Sequence, residues 1–472
     1  MGDFNVTSRK HPNYSSNATL WDFYIAAYKG GNSFASGYLE THRLENSEDF
    51  GKRKDAAYFL NFCRAIPNIY ADHIFKNPIT RPTFSPELLE NVDGRGMDAQ
   101  AFAIKISVLS SIYGQVHVLV DKPIAEEGIT LADASLPYAT IYAPQNLLDW
   151  ARHPITGKLL WALLYEPIYE DTDPLTPRVT VERYRLLKPD GWAVYQNADD
   201  GAVMVDSGDW ALESVPLVTC FNKEIDDDMI GESALVDIAP TNRAIMNWCS
   251  CIDEQIKRQT FSQLIMPEDE DSENVKTIGT ASIFTFPSDA THAPAFISPD
   301  AAQIATIWDM VANHIAEIYR MATLEKSGSS ALVPQSGIAK AYDFIDTNGA
   351  LVTKATQMES FETELYNLFA LWMGKGEVDP VTYQKDFDVI ALDSDIRNSL
   401  DLIAENFSDK YSSFLKKRLV RRTASNIPDE TLVIIDKEID EAKVMNLNDE
   451  GFGADESDND EGETIVAKPE VG

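Results

Sequence analysis

The sequence predicts an α+β protein in which a β-rich first half gives way to long helices. Three observations carry this. Between residues 115 and 221, short β-branched and aromatic runs are separated by turn residues such as Thr156-Gly157, Pro189-Asp190-Gly191 and Asp199-Asp200-Gly201. Stretches 232–262 and 300–322 then place apolar residues at close to helical steps, with polar residues on the remaining surface. A third such stretch, 338–373, follows a loop rich in Gly and Ser.

Taken in order, residues 1–20 are polar, rich in Asn and Ser, and read as a mobile arm. An aromatic run from Trp21 to Tyr28 follows, and Lys29-Gly30-Gly31 breaks it. Residues 50–75 read as one amphipathic helix, interrupted at Pro67. Residues 99–111 form another helix, stopped at Gly114, and 115–121 the first strand. Further strands are expected at 139–142, 159–169, 178–186, 191–195 and 203–205.

In the first long helix Leu235, Ile238, Ile245, Cys249, Ile252 and Ile256 form one stripe, and in the second Ile304, Ile307, Trp308, Val311, Ile315 and Ile318 form another. Between them lie an acidic loop (Glu268, Asp269, Glu270, Asp271, Glu273) and a strand-like run at 277–286. Residues 323–337 cannot continue a helix, because Gly328, Pro334 and Gly337 oppose it. A loop this long inside an ordered region points to function or to disorder. Asn348-Gly349 predicts a bend in the third helix. Residues 382–390 read as a returning strand, and 395–422 and 428–445 as helices. The last 24 residues hold nine acidic residues against one lysine and read as disordered.

The formal net charge is −35, which favours solubility and opposes non-specific nucleic-acid binding. Four cysteines (Cys63, Cys220, Cys249, Cys251) show no metal or CxxC spacing, as expected of intracellular thiols. There is no apolar leader near Met1 and no run of 18 apolar residues, so neither secretion nor membrane spanning is expected. No phosphate-binding loop, nucleophile elbow, zinc-helix or dinucleotide motif is present, and no cofactor is expected. His42 with Glu45, and His314 with Glu317, stand at helical spacing for a metal pair, but two ligands fall short of the usual three or four. Asp226, Asp227 and Asp228 read as a solvated turn.

The order of elements resembles the portal proteins of tailed bacteriophages over residues 20–445. The resemblance is carried by a series of stretches. The first is YKGG at 28–31 with Tyr38, Leu39, His42, Glu45 and Arg53. IYG at 112–114 leads to VLVDKP at 118–123, and PY at 137–138 to APQNLLDW at 143–150. PLV at 216–218 precedes GESAL at 231–235 with Asn242. Ala234 departs from the proline that many portal proteins carry there, and the acidic tail is not a hallmark of the family.

The resemblance implies a ring, usually of twelve subunits, at one capsid vertex, through which double-stranded DNA enters and leaves. It implies a wing (21–230 and 338–392), two stem helices (231–262 and 300–322), a clip (263–299), a tunnel loop (323–337) and a helical crown (393–447). DNA contact is expected at Leu324, Glu325, Lys326, Ser327, Ser329, Ser330 and Gln335 of the loop. In the crown it is expected at Lys416, Lys417, Arg418, Arg421 and Arg422, whose bland alternative is a solvated helix face. The clip acids Glu268, Asp269, Glu270, Asp271 and Glu273 would dock the terminase large subunit and later the head-completion or tail adaptor. Major capsid and scaffolding proteins are the further partners, with no membrane and no catalysis. An acidic channel wall would avoid gripping the phosphate backbone. Two other readings stay open: a metal-dependent nucleic-acid-processing enzyme, and a ring-forming scaffold or adaptor without a DNA channel.

Overall fold

The computed structural model describes residues 5–43, 45–82, 85–122, 136–170, 173, 175–198, 201–210, 212, 214–225, 228–260, 263–265, 295–297, 301–324, 337–385, 387, 399–405, 408–423 and 429–441. The protein is α+β and divides into two compact units, residues 1–387 and 388–472.

The first unit opens with helices. α1 (Pro12–Lys29) has Pro12 at its first position, and His11 Nδ1 accepts a hydrogen bond from the Asn13 amide at 3.2 Å. The expected mobile arm is therefore corrected: much of it is α1, and Arg9 and His11 just before it are fastened to the sheet. The His11 ring stacks on Trp150 at 4.0 Å, its amide donates to the Leu148 carbonyl at 2.8 Å, and Arg9 pairs with Asp149. Gly30 then turns the chain at φ +58°, where a β-carbon would lie 2.2 Å from Asn61 Nδ2. α2 (Gly31–Tyr38) follows directly.

The expected helix over 50–75 is two helices, α3 (Ser47–Ala56) and α4 (Phe62–Ile74). The break falls at 57–61 rather than at Pro67, which lies inside α4. Asn61 sets the restart by accepting from the Arg64 amide at 2.8 Å. After the short α5 (Pro86–Glu90), α6 (Ala99–Tyr113) is capped by Asp98, which accepts from the Ala101 amide at 2.7 Å.

β1 (Gln115–Asp121) is the central strand of a three-stranded antiparallel sheet, between β10 (Leu217–Phe221) and β2 (Tyr138–Tyr142). Every residue of β1 is buried. A five-stranded antiparallel sheet runs in the order β3 (Leu147–Arg152), β4 (Leu159–Tyr165), β7 (Tyr184–Lys188), β8 (Gly191–Ala198), β9 (Gly201–Asp209). The pair β5 (Ile168–Glu170) and β6 (Val179–Val181) prolongs the β4–β7 hairpin, so the expected strands at 159–169 and 178–186 are each split in two. β3 and β10 escape a reading for alternation, because Leu147, Leu148, Asp149 and Trp150 are all buried, as are Leu217 and Val218.

α7 (Ile238–Thr260) begins later than the expected 232, because residues 231–237 are held in a non-helical lead-in. α8 (Ala301–Met321) packs along α7. Next to these helices, β11 (Gln263–Ile265) and β12 (Ala295–Ile297) pair antiparallel. The expected strand at 277–286 lies outside the described residues. α9 (Gly337–Trp372) runs as one helix through Asn348-Gly349. The expected strand at 382–390 is, among its described residues, a single bridge between Thr382 and Thr80. The main core joins α1, α4, α6, α7, α8 and α9, with Phe102, Ile106, Ile245, Tyr366 and Phe369 fully buried. Each such side chain contributes about 2–3 kcal/mol on burial.

In the second unit residues 399–404 are helical, followed by α10 (Asp409–Thr423) and α11 (Asp429–Glu441). The expected helix over 395–422 is therefore interrupted before α10; of the expected helix over 428–445, residues 429–441 are helical and 442–445 lie outside the described residues. The acidic tail lies outside the described residues.

Candidate functional site

Some of the stretches that carry the resemblance meet along α7 and its lead-in: IYG at 112–114, GESAL at 231–235, and Glu45, Arg53 and Asn242. Gly114 and Gly231, distant in sequence, touch backbone to backbone. The lead-in is then stitched to the end of α6. Ser233 Oγ donates to the Ile112 carbonyl at 2.6 Å, and the Ala234 amide to the Ser111 carbonyl at 2.9 Å. The Gly231 amide donates to Gln115 Oε1 at 3.1 Å. The other lead-in amides go to the Lys223 carbonyl (Glu232), Ser233 Oγ (Leu235) and the Ser233 carbonyl (Val236), so 231–237 is held in turns and α7 starts late.

Asn242, fully buried on α7, serves the break between α3 and α4. Its Oδ1 accepts from the Phe62 amide at 3.1 Å, and its Nδ2 donates to the Leu60 carbonyl at 2.8 Å. Further along α7, Arg53 is buried at 3% exposure. It forks onto Glu45 at 2.7 and 2.6 Å, and also donates to Ser250 Oγ at 2.8 Å and the Glu40 carbonyl at 2.7 Å. The hydrogen bond from Arg53 pulls the Glu45 carboxyl down to about 2, and Glu45 in turn raises Arg53. His42 donates its amide to Glu45 at 3.1 Å, while its ring lies 2.9 Å from Cys251 Sγ. His42 and Glu45, which stand at metal-pair spacing in the sequence, meet through the His42 backbone amide. His314 Nδ1 meets its own helix at the Met310 carbonyl, 2.8 Å away, and Glu317 pairs with Arg320. Among the described residues no group of three or more His, Cys, Asp or Glu is placed to hold a metal ion.

The segment 325–336 leaves from an anchored base. Tyr70 of α4 donates its hydroxyl to the Ala322 carbonyl at 2.5 Å. Thr347 of α9 donates to the Thr323 carbonyl, and Thr323 itself has φ +51°. The Leu324 amide donates to the Tyr319 carbonyl at 3.0 Å, and the Leu324 side chain packs against the main core. Leu324 is therefore part of the anchor rather than of an open loop. Glu325, Lys326, Ser327, Ser329, Ser330 and Gln335 lie outside the described residues, as do the clip acids Glu268, Asp269, Glu270, Asp271 and Glu273. Beneath the anchor, Lys354 of α9 is buried, hydrogen-bonded to Asn222 Oδ1 and 5.6 Å from the Tyr70 ring centre. Burial lowers its ammonium to about 8.

In the second unit Lys417 reaches Asp440 of α11 at 2.6 Å, and Ser413 donates to the same carboxylate at 2.7 Å. These contacts hold the Asp440 carboxyl below its usual range, the Lys417 hydrogen bond contributing most. Lys417 is thus engaged by a neighbouring helix. Lys416 is half-buried and Arg418 exposed, and Arg421 and Arg422 lie on the last turn of α10.

Sequence reasoning assigned Asn242, Arg53 and Glu45 to motifs. It missed Ser250, Tyr70, Thr347 and Lys354, which carry no local signal. No family model matches this sequence, and no curated protein matches it.

Proposed function

We propose that this chain is the subunit of a portal ring, a channel at a capsid vertex for packaging and ejecting double-stranded DNA, with no chemistry of its own. The observation that carries the reading is a partial convergence: of the stretches that resemble the portal series, IYG at 112–114, GESAL at 231–235, and Glu45, Arg53 and Asn242 meet along one long helix, α7, and its lead-in. Their polar residues support that helix rather than face a cleft.

Other features agree. α7 and α8, roughly 35 and 32 Å long, leave Trp248, Ile256 and Trp308 exposed, the last at 56%. On α10 and α11, Phe414 and Val433 are exposed at 60% and 68%. Large apolar side chains on long helices suit contact with further copies of the chain. Segment 325–336 springs from a base tied to α4 and α9, as suits a loop that meets moving DNA. ATP hydrolysis would belong to a separate motor, the terminase large subunit, and an adaptor would follow it on the same ring.

Native mass spectrometry and negative-stain imaging of the purified protein test this. The expected result is a closed ring of roughly 0.6 MDa with a central hole. A protein that stays monomeric or dimeric under all assembly conditions would sink the proposal.

A further inference from the structure

We propose that Cys251 is a thiol-modification site that exchanges with small-molecule disulfides, with His42 as the base that takes its proton. The pairing is tertiary: His42 lies in the connection between α2 and α3, and Cys251 on α7. Their Nε2 and Sγ atoms are 2.9 Å apart. The His42 side chain is exposed and Cys251 is half-buried, whereas Cys63, Cys220 and Cys249 are buried. The fold thus presents one of its four thiols at the surface, next to a base.

Two further groups shape the site. The Asn247 carbonyl lies 3.1 Å from Cys251 Sγ and is the alternative acceptor for the thiol hydrogen when it is not shared with His42. The Arg53 guanidinium, fixed by Glu45 and Ser250, favours a thiolate, although burial outweighs it and raises the thiol. Cys251 therefore rests protonated at neutral pH, and exchange needs a proton acceptor. His42 is placed to be one when its ring hydrogen is on Nδ1. Glu45 accepts the His42 amide and is itself held by Arg53, which fixes this segment beside α7.

The step balances as ordinary thiol–disulfide exchange. The Cys251 proton passes to His42 Nε2. The thiolate attacks one sulfur of the disulfide, a new Sγ–S bond forms and the old S–S bond breaks. The departing thiolate recovers the proton from His42 and leaves as a thiol. Cys251 is oxidised to the mixed disulfide, and the leaving half of the reagent is reduced.

Oxidised glutathione is the probe, with intact mass and peptide mapping as readouts on the full chain. One glutathione per chain is expected, on Cys251, and none on Cys251→Ser. His42→Asn should slow uptake at neutral pH by roughly tenfold or more. The two rates should converge at alkaline pH, where the thiol ionises unaided. The proposal is overturned if folded protein carries adducts on Cys63, Cys220 or Cys249 instead, or if His42→Asn matches the parent across the pH range. Faster labelling of His42→Asn would report a loosened site and would also overturn it.

Discussion

Gly114 and Gly231 approach so closely that a β-carbon on Gly114 would lie 2.2 Å from the Gly231 carbonyl oxygen, and one on Gly231 would lie 2.3 Å from that of Gly114. The contact sets the lead-in of α7 against the end of α6. Gly114 also has φ +93°, which an L side chain rarely adopts. Gly114→Ala adds steric clash to backbone strain and should cost about 3 kcal/mol or more, and Gly231→Ala about 2 kcal/mol. Denaturant unfolding of both variants measures this. Alanine at 31, where a β-carbon meets nothing within 4 Å despite φ +73°, is the matched control and should cost less.

Glu45 and Arg53 predict an acid-sensitive joint. The Glu45 carboxyl sits at about 2 in the folded chain, below its ordinary value of 4.5. A depressed carboxylate contributes stability that is full above the unfolded value and is lost as pH falls toward the folded one. Stability should therefore decline between about pH 4.5 and pH 2 through this group. Glu45→Gln should remove that part of the slope. At neutral pH the same change should cost about 3 kcal/mol, because it leaves the Arg53 charge buried and unpaired. Urea melts across that pH window read both effects.

Lys354 predicts the opposite sign. Its ammonium sits at about 8, below the ordinary 10.5, because burial penalises the charge. Charging it in the folded state is costly, so stability should rise as pH increases from 8 to 10.5. Lys354→Met removes the buried charge. It should raise stability at neutral pH by about 2 kcal/mol and flatten the rise above pH 8. A Met variant that is less stable at neutral pH would show that the contacts to Asn222 and Tyr70 outweigh the desolvation.

The Tyr70 hydroxyl predicts a local effect at the loop base. Tyr70→Phe leaves the Ala322 carbonyl without that donor and should cost about 1–2 kcal/mol. Faster amide exchange at 322–324 than in the parent, with α4 unaffected, is the expected pattern.

Segment 325–336 supplies the functional prediction. Replacing it by a short Gly linker, while keeping Leu324 in its packed position, should leave ring assembly intact and impair DNA packaging or retention. Normal packaging by that variant would show a plain connector.

The sequence by itself determined the class and most of the elements, because helix and strand periods are local. The stripes of α7, α8 and α9, the turns at 156–157 and 189–191, and the stop at Gly114 could all be read residue by residue. Local signals also existed for one error: Pro12 after a capping residue announces α1, and the polar composition of the arm masked it. Tertiary structure decided the rest. The break between α3 and α4 falls at 57–61 because Asn242, about 180 residues away, fills the backbone groups there. α7 starts at Ile238 because the preceding amides are taken by Gln115, Lys223, Ser111 and Ser233. β3 opens without alternation because Leu147, Leu148, Asp149 and Trp150 are all buried, on both faces of the strand. The His42–Cys251 contact and the Lys354 charge are products of packing alone. A chain's periodicity reports which face is apolar, whereas partners for buried polar groups come from whatever segment the fold brings alongside.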